Sequence, residues 1–182
     1  MACDISLGRL EPCKNQVGGI DAVYFVNFGD LGTVTTGADD EITDMDGTFS
    51  AYKYEIKDTA SNLTQTPTSS RDAGTTFFSQ AVNLTLKEIT KEMNKELKLL
   101  SWGRPHIVVA DRNGNALMVG LERGTELSGG SIVTGGAMGD LSGYTLAMTA
   151  EEKLPANILE GATAADPFAG MTSATVTIVE GV

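Results

Sequence analysis

Thr85-Leu-Lys-Glu-Ile-Thr-Lys-Glu-Met-Asn-Lys-Glu-Leu-Lys-Leu-Leu-Ser-Trp-Gly103 is the stretch whose reading decides the fold. Leu86, Ile89, Met93, Leu97 and Leu100 recur at steps of three and four, which puts them on one face of a helix over about 85–102. Lys87, Glu88, Lys91, Glu92, Lys95, Glu96 and Lys98 cover the other sides in mixed sign. Glu88 with Lys91 and Glu92 with Lys95 are spaced for weak surface pairing. Thr85 and Glu88 have the spacing of a capping box, and Gly103 and Pro105 stop the helix. A single apolar stripe needs an apolar surface to cover, and nothing else in the sequence reads as helix. That surface is therefore expected to be β-sheet.

Working outward, Ile20 to Phe28 (IDAVYFVNF) reads as a buried strand, rich in β-branched and aromatic residues. Thr33 to Gly37 is a second short strand before an acidic loop at Ala38 to Gly47. Thr48 to Lys57 (TFSAYKYEIK) alternates, with a shift of parity at Ala51. Thr76 to Leu84 places Phe78, Gln80, Val82 and Leu84 on one side and runs into the helix. Between these two strands, Asp58 to Thr75 is dominated by Ser, Thr, Asn, Gln and Asp. A polar segment of that length is either a functional loop or the protruding part of a long hairpin, and its threonines suit the hairpin. After the helix, His106 to Arg112 and Asn115 to Leu121 flank Asn113-Gly114, a strong hairpin signal. Thr125 to Val133 and Tyr144 to Ala150 continue a β-meander. Pro155 to Gly170 reads as a surface excursion, and Ala174 to Val179 as a last strand. The expected class is α+β, mostly β: an antiparallel sandwich or barrel in one domain, 1–182, with one flanking helix and an N-terminal arm at 1–19.

Bulk properties exclude several functions. The 182 residues carry a net charge of −11, with a pI near 4.4, which opposes gripping nucleic acid through its phosphates. The acids concentrate in Asp39-Asp-Glu41 with Asp44 and Asp46, and again in Glu151, Glu152 and Glu160. No apolar run approaches a membrane span and the N-terminus lacks a signal-peptide layout, so a cytosolic origin and no membrane partner are expected. Cys3 and Cys13 are too few for a disulfide framework or a zinc site. Two free thiols, or one bridge in an oxidising medium, are the alternatives.

Chemistry-bearing patterns are weak. His106, the single histidine, has no Gly-x-Ser-x-Gly or comparable nucleophile motif to serve. Gly129 to Gly143 lacks the Gly-Lys-Ser/Thr ending of a phosphate cradle and reads as turn glycines. Asp111, Asn113, Asn115 and Glu122 fall at positions one, three, five and twelve of a calcium loop, but Ala116 occupies the position that requires glycine. The Asn113-Gly114 hairpin accounts for the same residues. No catalytic residue, cofactor site or metal site is therefore expected.

The order of elements is more informative: strands bracket a long polar segment, the second strand feeds one amphipathic helix, and a meander closes the domain. With Glu11-Pro-Cys-Lys14, Gly18-Gly-Ile20, Asp72-Ala-Gly-Thr-Thr-Phe-Phe-Ser-Gln80, Trp102-Gly-Arg-Pro105, Asp140-Leu-Ser-Gly-Tyr-Thr-Leu146 and Glu152-Lys-Leu-Pro-Ala156, this order resembles phage virion proteins. Within that group it resembles the tail tube proteins of long-tailed bacteriophages, and more distantly the tube protein of type VI secretion systems. The resemblance implies a non-enzymatic subunit of homo-hexameric rings stacked into a tube in the virion tail. Other tail proteins, such as tape measure and terminator, would be its partners, and double-stranded DNA would pass through without specific binding. It also implies an inter-ring contact loop comprising Ser61, Asn62, Thr64, Gln65, Ser69, Ser70, Arg71 and Asp72. A capsid decoration protein, a head-tail connector or terminator, a cellular β-sandwich binding module and a metal-assisted hydrolase built from Asp39 to Asp46 with His106 are the competing readings.

Overall fold

The computed structural model describes Ile5 and residues 7–181. Twelve strands and one helix follow in the order β1 (Ile20–Val26), β2 (Val34–Thr36), β3 (Ile42–Met45), β4 (Thr48–Glu55), β5 (Asn62–Ser70), β6 (Thr75–Lys87), α1 (Lys91–Trp102), β7 (His106–Asp111), β8 (Ala116–Val119), β9 (Glu126–Val133), β10 (Gly143–Glu152), β11 (Asn157–Ile158) and β12 (Thr175–Glu180). They form a six-stranded sheet, β11-β8-β7-β1-β4-β12, a four-stranded sheet, β5-β6-β10-β9, and the β2-β3 ribbon. The class is α+β, mostly β, arranged as a sandwich. Among the described residues the named strands pair antiparallel except β12 on β4, a single parallel bridge joins Ile42 to Leu159, and the expected meander is split, β7-β8 in the larger sheet and β9-β10 in the smaller.

The central strands of the larger sheet, β1 and β7, are buried on both faces, and their alternation shows how. Val23 and Phe25 of β1 with Ile107 and Val109 of β7 meet Val82 and Leu84 of β6 and Tyr144, Leu146 and Met148 of β10. Ala22, Tyr24 and Val26 of β1 with Val108 and Ala110 of β7 turn the other way, onto Leu31, Ile42, Met45, Leu159, Phe168 and Met171. A strand covered on both sides carries no polar stripe, which is why IDAVYFV reads as an almost unbroken apolar run.

The second cover corrects two expectations. The acidic loop at 38–47 contains β3, whose Ile42 and Met45 are fully buried. The segment at 155–170 is not a surface excursion: Phe168 packs edge-on against Tyr24 (5.8 Å between centroids) and Phe49 (5.6 Å). Leu159 bonds back to Ala116 O (2.9 Å) and Glu160 to Ile42 O (2.9 Å). Aromatic edge contacts of this kind add to what area burial supplies.

The helix is shorter than its periodicity predicts. Thr85, Leu86 and Lys87 belong to β6, paired with Thr145, Tyr144 and Gly143 of β10. Gly143 permits that register, because a Cβ there would run into the carbonyl of Leu86. Glu88 takes a positive φ of 68° and donates its N–H to Ser142 O (2.8 Å), which turns the chain out of the sheet. The N-cap is therefore Thr90, whose hydroxyl accepts from Met93 N (3.1 Å), and the Thr85/Glu88 capping box does not form. Strand pairing over three more residues outweighs helix periodicity here. The expected Glu88–Lys91 and Glu92–Lys95 pairs are absent among the described ion pairs, where Lys91 meets Glu92 instead (3.3 Å).

Leu86, from the strand, and Ile89, Met93, Leu97 and Leu100 all pack, partly buried, against the core between the two sheets. No residue of α1 is fully buried. The helix lies as a cover over the open side of the sandwich, and the Tyr144 hydroxyl ties to it, 2.9 Å from Asn94 Oδ1 and 3.2 Å from Thr90 O. This difference in depth sets the cost of truncation. Leu84→Ala, at a 2% exposed site, is expected to cost about 2–5 kcal/mol, and Leu97→Ala about 1 kcal/mol because water already reaches it. Urea midpoints of the two variants check the ordering; equal losses would mean the helix is integral core.

Candidate functional site

The polar segment at 58–75 is mostly strand. Asp58 starts it: its carboxylate accepts from Ala60 N (2.9 Å), Ser61 N (2.7 Å) and Ser61 Oγ (2.8 Å). Burial alone pushes the Asp58 carboxyl up, but these hydrogen bonds outweigh it and hold it below the usual carboxylate range. Ser61 Oγ in turn accepts from Thr85 N (3.0 Å). From Asn62 to Ser70 the chain pairs with β6 residue by residue, ending at Ser70↔Thr75. The long strand is thus a new one, β5, and not an extension of β4, which ends at Glu55 in the other sheet.

The third strand, β10, stops pairing with β6 at Glu152↔Phe78. Beyond that point β5 and β6 continue as a two-stranded ribbon, through Thr68↔Phe77, Ser69↔Thr76 and Ser70↔Thr75. Every residue from 66 to 76 is exposed. At about 3.4 Å per residue the ribbon stands roughly 10–15 Å proud of the sheet. Its tip is held by Ser70 Oγ, which accepts from Ala73 N (3.2 Å), by the Ser69–Thr76 hydroxyl pair (3.0 Å) and by Gly74 at φ 64°.

The eight residues expected at a contact loop fall into two groups. Ser61 is 7% exposed and committed to Asp58 and Thr85. Gln65 is half-buried, its Oε1 accepting from Ala156 N (2.7 Å). Asn62 and Thr64 lie exposed on the outer face of the sheet, bonded to each other (3.3 Å), with Asn62 also accepting from Asn83 Nδ2 (3.2 Å). Ser69, Ser70, Arg71 and Asp72 make the ribbon tip and turn. Among the described ion pairs none involves Arg71 or Asp72, and these are the only charges between residues 61 and 75.

The acidic residues act as local caps. Asp44 accepts from Ser173 Oγ (2.7 Å), Ser173 N (3.1 Å) and Thr172 Oγ (3.3 Å), and the Ser173 bonds hold its carboxyl low. Glu41 accepts from Asp39 N (2.8 Å), and Asp46 from Thr33 N. Asp111 accepts from Asn113 N (2.9 Å) and Asn115 N (2.7 Å), the turn geometry that accounts for its calcium-like spacing. In the glycine-rich stretch, Gly136 N and Ala137 N point at Asp140 Oδ2 (2.9 and 2.7 Å) and are not open to a phosphate. Among the described residues no group of His, Cys, Asp or Glu could hold a metal ion. Among the described residues no helix is long and apolar enough to cross a membrane. Cys13 is exposed; Cys3, its candidate partner, lies outside the described residues.

His106 is 3% exposed. Its Nδ1–H donates to Gly120 O (2.7 Å) and its Nε2 accepts from Gly29 N (3.3 Å). The ring stacks on Phe28 (5.0 Å), whose ring also carries the Arg104 guanidinium at 4.0 Å. Both ring nitrogens are thereby committed to backbone. Two further polar side chains, which sequence reading passed over, seal the same end of the sandwich. Gln80 accepts from Gly120 N (3.0 Å) and donates to Leu154 O (3.2 Å), and Glu152 accepts from Glu122 N (3.1 Å) and Arg123 N (2.9 Å). Both were legible as inward by parity with Val82 and Met148, but only the fold shows what they bind.

No protein family, curated protein or solved structure matches the chain.

Burial lowers the His106 pKa and raises that of Glu152, with opposite consequences. The folded protein keeps His106 neutral, so its contribution is present above the unfolded pKa of about 6.5 and is lost as pH falls from there toward the folded value. Glu152 contributes below its unfolded pKa and loses that contribution as pH rises through the folded one. His106→Gln is expected to flatten the loss of stability between about pH 6.5 and 5, and Glu152→Gln to steepen it. Thermal melts across that range, in one buffer ionic strength, check both slopes.

Proposed function

We propose that the protein is a non-enzymatic virion structural protein, a tail tube subunit that forms stacked homo-hexameric rings for the passage of phage DNA. The observation that carries this reading is the two-stranded ribbon beyond Phe78. Such a ribbon buries little of its own surface and is marginal in water by itself. A neutral, hydroxyl-rich ribbon of this length gains a structural purpose when another subunit receives it, as a stacking element between rings would be received. The tip residues Ser69, Ser70, Arg71 and Asp72 are the inter-ring contacts in this proposal, with Asn62 and Thr64 at the ribbon's root; Ser61 and Gln65 position the ribbon instead of touching the next ring.

The charge pattern supports the same reading. The chain is strongly acidic overall, and a tube lumen of that sign repels DNA phosphates, so that the genome slides without adhering. The partners are further copies of the chain and other tail proteins such as tape measure and terminator, and the place of action is the virion tail.

Electron microscopy of the purified protein is expected to show stacked rings or tubes; monodisperse single particles at high concentration would overturn the reading. Replacing residues 69–76 by Asn-Gly keeps the Thr68–Phe77 pair and closes a two-residue turn. That variant is expected to fold, to form rings and to stop stacking. Normal tubes from it would remove the ribbon from the inter-ring contact while leaving ring formation in place.

A further inference from the structure

A groove of about 1350 Å³ opens between α1 and the β4–β12 edge of the larger sheet. Tyr52, Leu99 and Val179 line it and remain 38–48% exposed. Its walls are acidic on balance, with six carboxylates against four cationic side chains, and Glu92 and Glu96 stand one turn apart on the helix side. The end of β12 forms one lip, and among the described residues β12 pairs only with β4, which leaves its other backbone edge open there.

The chain also carries a segment with the complementary properties. Ile5, Leu7 and Leu10 are 95%, 86% and 93% exposed, which a folded domain seldom tolerates in one run. Among the described residues, 5–12 make no backbone hydrogen bond to the body. The arm is rooted further along, where Asn113 clamps Val17 N (3.0 Å) and Val17 O (2.8 Å). Arg9 stands between Leu7 and Leu10, and residues 5–14 sum to one positive charge from Arg9, Glu11 and Lys14.

We propose that the groove receives residues 5–10 of a second copy's N-terminal arm, laid beside the open edge of β12. Ile5 and Leu7 cover Tyr52, Leu99 and Val179, and Arg9, on the same side of the extended segment, meets Glu92 and Glu96. An extended segment added at a sheet edge obtains its affinity from main-chain hydrogen bonds and its specificity from alternate side chains in pockets, which this groove supplies. The inference rests on the self-association proposed above, but not on the stacking of rings.

Site-directed cross-linking tests it. In a background with Cys3→Ser and Cys13→Ser, one preparation carries Leu7→Cys and a second, distinguishable by an affinity tag, carries Tyr52→Cys. Mixing and mild oxidation are expected to give a covalent heterodimer, and a Thr64→Cys acceptor is expected to give none. Arg9→Glu in the donor should reduce the yield, and Glu92→Lys with Glu96→Lys in the acceptor should restore it. Ile5→Asp with Leu7→Asp should raise the concentration needed for assembly about tenfold or more, as loss of two buried aliphatic side chains implies. Cross-linking only within a chain that carries both cysteines, at any dilution, would mean that the arm folds onto its own groove. An assembled sample with no cross-link would overturn the arm proposal and leave self-association standing. A sample that sediments as monomer at every concentration would overturn both.

Discussion

Two-sided burial of β1 and β7 is the constraint on which the rest of the structure depends. Val23, Phe25, Ile107 and Val109 point one way and Tyr24, Val26 and Val108 the other, and all are almost fully out of solvent. Burying a large aliphatic or aromatic side chain contributes about 1.5–3 kcal/mol, so neither face can be left open. One cover is the four-stranded sheet with its helix. The other has to be assembled from what remains, the β2-β3 ribbon and the segment around Phe168. That requirement explains why an acidic hairpin and an alanine-rich stretch without regular period send Ile42, Met45, Leu159 and Phe168 inward. Their carboxylates stay at the rim and cap the turns, as Asp44 does for Ser173.

The same constraint shows where sequence reading reached the fold and where it stopped. The helix, the Asn113-Gly114 hairpin and the strands around Ile20, Thr48, Thr76, His106 and Tyr144 were legible, because each is signalled by a local period or turn. The helix start was not: Leu86 fits a helical step from Ile89 and equally a strand step from Leu84, and the pairing of Lys87 with Gly143 decides between them. The second cover was invisible for a related reason. Leu159 and Phe168 sit in irregular chain with no period to reveal which way they point. Pro67 did not prevent the ribbon, since it lies on an edge strand, where a missing N–H costs little. Around the candidate contact residues, composition marked a polar segment, part of which stands out from the body as a ribbon. Only the register separated Ser61 and Gln65, which face the body, from Ser69 to Asp72 at the tip.

The described residues show how the protein spends its polarity. Buried polar groups are few and all are partnered: Gln80, His106 and Glu152 converge on the backbone between Gly120 and Arg123, where the chain crosses from the larger sheet to the smaller. This seal is structural, and the tautomer of His106 is fixed by the carbonyl and amide it serves. A group held in that way has no proton to exchange with a ligand. The polar residues with unspent capacity are instead on the outside, on the ribbon and along the groove.

Those two exterior features differ in kind, and the difference bears on assembly. The ribbon is neutral, hydroxyl-rich and rigidified by its own side-chain bonds, so a receiving surface would read its shape and hydrogen-bonding pattern more than its charge. The arm and groove are apolar with opposite charge at their margins, so their union would gain from burial and lose with salt only at the Arg9 contact. A subunit with one contact of each type can join neighbours along two independent directions. Burial-driven contacts would hold within one layer, and geometry-driven contacts would set the position of the next. Association in two independent directions is the minimum a chain needs to build a closed and extended surface from one kind of subunit.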